Sequence, residues 1–169
     1  MGWASVLLLL ASVTGATPAV PSALAPLTAL PSDPPPAKLT NDTHYLVSNE
    51  RRLDLFADDV RDRGDAYIGV GAGQNYVLAA WADPEVMVLV DFDADVVDLH
   101  ALYILFFAHA DDIETFESLW SDDEAVGRLL ALAEPLPLRR ARLEALYLRA
   151  RDEVIDQLRR MRGKLEEAA

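Results

Sequence analysis

Three alternating glycines and one carboxylate are the residues of this chain best suited to hold a ligand. Gly69, Gly71 and Gly73 follow a short apolar run, and a second apolar run, Val86–Val90, ends on Asp91. Glycines lack Cβ atoms, so they allow positive φ angles and bring backbone N–H groups against a ligand at the start of a helix. A carboxylate at the end of the following strand lies where a ribose hydroxyl needs an acceptor. The pattern therefore predicts a βαβ nucleotide site.

Two amides and one histidine complete the set of candidate site residues. Gln74 and Asn75 stand where the predicted helix begins, and their amides can either contact the polar edge of a ligand or cap the helix. Gln74 also takes the place of the third glycine of a dinucleotide motif, which disfavours nicotinamide cofactors. His100, on the helix after Asp91, is a candidate proton acceptor because imidazole titrates near physiological pH. A satisfied core histidine and a ligand-free glycine turn are the alternative interpretations.

The aspartates that follow the second strand do not predict a metal site. They are closely spaced, as in a calcium-binding loop: Asp91, Asp93, Asp95 and Asp98. However, Val96 stands where that loop requires glycine, and Leu102 stands where it requires a bidentate glutamate. We expect Asp93 or Asp95 to cap the helix around Val96 instead. The chain has no cysteine, and no hydrolase, phosphate-loop or zinc motif is present.

The charge distribution argues against nucleic acid as a partner. The net charge is −13, and the segment between Arg63 and Arg128 has fourteen Asp and Glu residues but no Lys or Arg. An acidic ligand-binding segment repels phosphate backbones. Nucleic acid is therefore not an expected partner, and the small-molecule nucleoside that the glycine–acid pattern suggests is the expected partner of the glycine turn.

The first 37 residues are predicted to lie outside the folded domain. Residues 1–16 have an apolar centre followed by small residues, which is typical of a signal peptide cleaved after Ala16. Because this segment lacks Lys and Arg, an uncleaved membrane anchor is the alternative. Residues 17–37 are rich in proline and alanine and predict an extended linker. We therefore expect export to the periplasm or to the exterior, with no further membrane span.

Apolar periodicity and turn residues predict the order of the elements. They are a helix from Ser48 or Asn49 to Arg63, a strand at Ala66–Val70, a helix at Gln74–Ala82, a strand at Val86–Asp91, and helices that begin near Val96, Asp112, Ser121 and Leu138. Residues 121–124 have the pattern of a capping box. The resulting organisation is an α/β domain over residues 38–134 and an amphipathic helix over residues 135–169.

The last helix favours a second, different function. Its apolar residues recur at about the helical period of 3.6; they are Leu143, Tyr147, Ala150, Val154, Leu158, Met161 and Leu165. A stripe of this kind needs a partner surface. Because the preceding domain is small, we expect the stripe to be exposed or to pair with another chain. The alternative function is thus a non-catalytic exported module that interacts or self-associates through this helix.

The alternate glycines and the acid after the next strand resemble the first two motifs of class I S-adenosylmethionine-dependent methyltransferases. The resemblance implies that Gly69, Gly71 and Gly73 line the methionine moiety of S-adenosylmethionine and that Asp91 bonds its ribose hydroxyls. One position departs from the family pattern. Tyr67 stands where these enzymes carry an acid, which affects contact with the cofactor's ammonium group.

A longer set of strings is similar to an uncharacterised bacterial family of exported or hypothetical proteins with a methyltransferase-like fold. The strings are Tyr45–Glu50, Tyr67–Tyr76, Leu89–Asp93 and His100, and the resemblance covers about residues 44–125. Its relatives continue through later strands, whereas this sequence predicts no convincing third, fourth or fifth strand. The resemblance implies a fold more than a reaction.

The residues and the resemblance together predict an α/β protein with a partial Rossmann-like, methyltransferase-type three-layer fold. It has few strands and a helix-rich C-terminal part. The predicted function is an exported protein with a half-site for S-adenosylmethionine or a related nucleoside and no metal. Whether the site is catalytically active stays open, because later strands normally supply the acceptor pocket and export removes a protein from cytoplasmic S-adenosylmethionine.

Overall fold

The computed structural model describes the backbone of residues 5–9, 45–132 and 137–168, and the side chains of residues 45–132 and 139–162. The elements are β1 (Ser5–Leu9), a 3-10 turn (Leu53–Phe56), α1 (Ala57–Val60), β2 (Ala66–Val70), α2 (Gln74–Ala82), β3 (Val86–Asp91), α3 (Ala94–Phe107), α4 (Ile113–Leu119), α5 (Asp123–Leu132) and α6 (Pro137–Ala168). The mixed α/β class is confirmed. Among the described residues, no helix combines the length and apolarity needed to cross a membrane.

The chain forms two compact units, Met1–Val97 and Asp98–Ala169. The division falls at Val97, whereas the sequence predicts a boundary after residue 134. Apart from β1, the predicted signal peptide and linker lie outside the described residues.

A small sheet and α2 organise the first unit. β2 and β3 are parallel, with Gly69 opposite Leu89, and the strand order is β1-β3-β2. β1 pairs antiparallel with β3 over five residues, with Ser5 opposite Asp91. On the α2 side of the sheet, Met87 and Leu89 form an apolar cluster with Ala79 and the partly buried rings of Tyr67 and Tyr76. β2, α2 and β3 thus form the predicted βαβ unit.

The ends of α2 and α1 follow from local backbone chemistry. α2 ends where Asp83 adopts a left-handed conformation with φ of 51°, directly before Pro84. The predicted helix from Ser48 or Asn49 to Arg63 is wrong, because only a 3-10 turn and the one-turn α1 form there. Ser48 Oγ accepts the Glu50 N–H at 3.0 Å, and this local turn competes with helix capping.

Aromatic rings form the core of the second unit. Phe106 of α3 meets Trp120 edge to face with ring centroids 4.8 Å apart, and Phe107 stacks on Phe116 of α4 at 4.6 Å. Tyr147 of α6 stacks on Trp120 at 6.1 Å. Such offset and edge-to-face pairs stabilise beyond the area they bury. The helices of this unit therefore share one core.

The apolar stripe of α6 is largely buried within its own unit. Leu143, Tyr147, Ala150 and Val154 are all buried, and Leu158 and Met161 are half-buried. The expectation that the whole stripe is exposed or covered by another chain is therefore wrong for its first half. The Leu165 side chain lies outside the described residues.

Arginines of α6 add ion pairs to the other helices of the second unit. Arg142 pairs with Asp98, and Arg162 pairs with Glu114 at 3.0 Å. Arg151 pairs with Asp123. Exposed pairs of this kind contribute little stability individually, so the buried apolar face is the main reason that α6 packs here.

Candidate functional site

The glycine turn joins β2 to α2 at the carboxyl end of the parallel strands. Gly71 has a φ of +89°, a conformation that favours glycine. Gly73 precedes α2 with an ordinary helical φ of −62°, so its conformation does not require glycine. Gly73 is the N-cap residue of α2 and has no side chain with which to cap the helix. The turn therefore depends on glycine at Gly71 for its conformation.

The Asn75 side chain stabilises the turn through hydrogen bonds to its backbone. Its Nδ2 group donates to the carbonyls of Val70, Gly71 and Ala72 at 3.0 to 3.1 Å. Its Oδ1 accepts the Tyr67 hydroxyl at 2.8 Å. Burial raises the pKa of Tyr67, which keeps the phenol protonated as a donor. Both the amino group and the oxygen of the Asn75 carboxamide therefore form their hydrogen bonds with residues of the turn and of β2.

Gly69 is required because Asn75 lies over it. A Cβ added to Gly69 would collide with the Asn75 carboxamide and would lie 2.7 Å from a ring carbon of Tyr67. The side chains of Tyr67 and Asn75 together cover the side of Gly69 on which a Cβ atom would lie. We call them the Tyr67–Asn75 pair.

Asp91 connects the end of β3 to the same turn. Its Oδ2 accepts the Gly71 N–H at 3.1 Å, and its Oδ1 accepts the Asp93 N–H at 2.8 Å. Burial raises the pKa of the Asp91 carboxyl, and the charge of Asp93 raises it further. The hydrogen bonds from the backbone N–H groups of Asp93, Gly71 and Phe92 act in the opposite direction. Asp91 is 8% exposed, so burial dominates.

Gln74 presents one unsatisfied acceptor beside the turn. Its Nε2 donates to the Val70 carbonyl at 3.1 Å. Its Oε1 is buried and accepts no hydrogen bond in the described structure. Buried polar atoms normally have partners, so this unsatisfied acceptor beside the turn is an exception that calls for an explanation.

The remaining candidate residues pack in a core or cap a helix. His100 is buried in the second unit, with its ring centroid 6.4 Å from that of Tyr103. Asp93 caps α3, as expected, because its Oδ1 accepts the Asp95 N–H at 2.8 Å. No group of three or more His, Cys, Asp or Glu side chains among the described residues is arranged to hold a metal ion.

One family model matches most of the chain. It covers residues 45–168 and is described as a domain of unknown function (DUF7790). The chain belongs to this family. The DUF7790 match includes the glycine turn, Asp91 and all of the helices from α1 to α6. None of the curated proteins matches the chain.

Five of the sequence-predicted residues meet in one hydrogen-bonded turn within the DUF7790 domain: Gly69, Gly71, Gln74, Asn75 and Asp91. Tyr67 is a member of this turn that the sequence noted only as a departure from a motif. Its position two residues before Gly69 on β2 places both on the same face of the strand, and this spacing was the available signal.

Proposed function

We propose that this chain binds an adenosine-containing small molecule at the glycine turn, as a Rossmann-like half-site of the methyltransferase type. The observation that carries the proposal is the buried Asp91 carboxylate, bonded to Gly71 at the carboxyl end of two parallel strands. Ligands of open α/β sheets bind beyond the carboxyl ends of the strands.

The acceptors at the turn match the donors of a nucleoside. A carboxylate has about four lone-pair positions, so Asp91 keeps acceptor capacity beyond its bonds to backbone N–H groups. Gln74 Oε1 is a second acceptor with none of its capacity used by described residues. Ribose hydroxyls and an exocyclic amino group are donors that fit such a pair.

Charge favours a ligand without phosphate. Asp91 and Asp93 lie together at the end of β3, and the segment from residue 64 to residue 127 has no Lys or Arg. Phosphate groups would meet negative charge there. S-adenosylmethionine or a related nucleoside is therefore favoured over a dinucleotide.

Burial of the Asp91 carboxylate lowers the stability of the fold, and a role in binding would explain why a carboxylate lies there. Its raised pKa means that folding disfavours the charged form of Asp91. Residues with perturbed pKa values are enriched at binding and catalytic sites. We propose a ligand for this site and no reaction. If S-adenosylmethionine binds, it supplies an electrophilic methyl group.

A thermal-shift screen of the full chain tests the proposal. The ligands are adenosine, S-adenosylmethionine, adenosine monophosphate and guanosine. We expect adenosine to raise the melting temperature in a concentration-dependent manner, because a ligand that binds only the folded state stabilises it. We expect adenosine monophosphate to have a smaller effect. If none of the adenosine compounds raises the melting temperature, the proposal is wrong.

A further inference from the structure

The Tyr67–Asn75 pair occupies one side of the proposed site with the protein's own neutral groups. The Asn75 carboxamide fills the space over Gly69, and the Tyr67 ring lies beside it. Asn75 is 2% exposed, and its Nδ2 bonds to three successive carbonyls hold it there. A ligand cannot use the face of Gly69 unless this carboxamide moves.

A charged extension on a ligand would lack a partner on this side. The carbonyls of Val70, Gly71 and Ala72 already accept from Asn75, and the Tyr67 hydroxyl already donates to it. A cationic amino group would meet neutral, satisfied groups there. Burying a charge without a partner is far more costly than burying a neutral group.

A carboxylate on the same extension would also lack a favourable partner at the turn. Asp91 and Asp93 lie next to the turn at the end of β3, and both are acids. A zwitterionic tail that extends over Gly69 therefore has its carboxylate repelled by these acids, whereas its ammonium group faces the neutral Tyr67–Asn75 pair.

We infer that Tyr67 and Asn75 determine the specificity of the proposed site, which takes a neutral nucleoside and rejects a nucleoside that carries a charged amino-acid tail. The inference rests on the proposed function and narrows its ligand class. S-adenosylmethionine fits Asp91 and Gln74 through its nucleoside part, but its methionine part does not fit the closed face of Gly69.

Titration calorimetry of the full chain with adenosine and with S-adenosylmethionine tests the inference. We expect adenosine to bind at least about tenfold more tightly, since an unpaired buried charge readily offsets one such factor. Equal affinities, or tighter binding of S-adenosylmethionine, overturn the inference and leave the proposed function intact. If neither compound binds, the proposed function fails and the inference fails with it.

Two matched variants locate the effect. Asn75→Ala removes the carboxamide over Gly69, so the preference for adenosine should shrink by a factor of about three or more, within the range expected for one lost polar contact. Ile68→Ala changes an exposed side chain of β2 next to Gly69 and leaves Tyr67 and Asn75 in place, so the preference should stay within about twofold of wild type. Circular dichroism establishes that each variant is folded. If Asn75→Ala does not fold, the wild-type comparison decides alone. An unchanged preference in folded Asn75→Ala overturns the role of Asn75.

Discussion

The backbone N–H of Gly71 donates to Oδ2 of Asp91 over 3.1 Å and so ties the glycine turn to the end of β3. The two residues are twenty positions apart in sequence, and the parallel pairing of β2 and β3 brings them together. The same carboxylate is where we place the ribose of a ligand. Asp91 therefore has both a structural and a proposed binding role, and the two can be separated experimentally.

The first prediction concerns the pH dependence of stability. Burial raises the pKa of Asp91, so its favourable contribution is complete at low pH and is lost as the pH rises through the raised value. Asp91→Asn has no such titration. Between about pH 3 and pH 7, the free energy of unfolding of the variant should therefore increase relative to that of wild type. Urea unfolding of both proteins across this range measures the difference. A shift in favour of wild type with rising pH would contradict the raised pKa.

The second prediction compares glycines by conformation. Gly71→Ala places a side chain at a φ of +89° and should lower the free energy of unfolding by roughly 1–2 kcal/mol. Gly127→Ala is the matched control, because Gly127 lies inside α5 and an added Cβ meets nothing within 4 Å. It should raise stability by roughly 0.5–1 kcal/mol. Equal effects in the two variants would show that the turn does not impose the positive φ.

The third prediction tests whether α6 belongs to the core of its own unit. Leu146 is 1% exposed and Leu148 is 55% exposed. Leu146→Ala should cost about 2–5 kcal/mol, the range for a buried leucine, whereas Leu148→Ala should stay within about 0.5 kcal/mol. Chemical unfolding followed by circular dichroism gives both values. If the costs are similar, the helix does not pack as described.

The proposed export of the chain is tested at its N-terminus. Cleavage after Ala16 would leave a protein that begins at Thr17 and would remove β1, which pairs with β3. We expect intact-mass measurement of the exported protein to give Thr17 as the first residue. We also expect faster hydrogen exchange in β3 of the cleaved protein than in the uncleaved chain, because five pairings are lost. Retention of Met1 would argue for the uncleaved anchor.

The βαβ unit was the part of the fold most accessible from sequence. Ala66–Val70 and Gln74–Ala82 form as predicted because an apolar run, glycines and Asp83–Pro84 define both elements locally. The capping box was displaced by one residue. Asp122 rather than Ser121 caps α5, since its Oδ1 accepts the Ala125 N–H at 2.9 Å. Neighbouring residues with similar capping propensity cannot be separated by pattern alone.

The interior of the site was less accessible. The sequence placed Asn75 at the start of a helix, but its bonds to three carbonyls depend on the direction of the side chain in the folded turn. The helical period likewise identified the apolar face of α6 without its partner. Tyr147 stacks on Trp120, twenty-seven positions earlier, and local periodicity does not encode such a contact.

The most direct test of the proposed site is titration calorimetry of adenosine into the wild-type chain and into Asp91→Asn. Loss of a charge-assisted hydrogen bond should weaken binding by about 1–3 kcal/mol, which is roughly five- to 150-fold in Kd. Circular dichroism of the variant excludes unfolding as the cause. We predict measurable binding to wild type and a Kd for Asp91→Asn that is higher by a factor in this range. An unchanged Kd would contradict the placement of the ribose at Asp91.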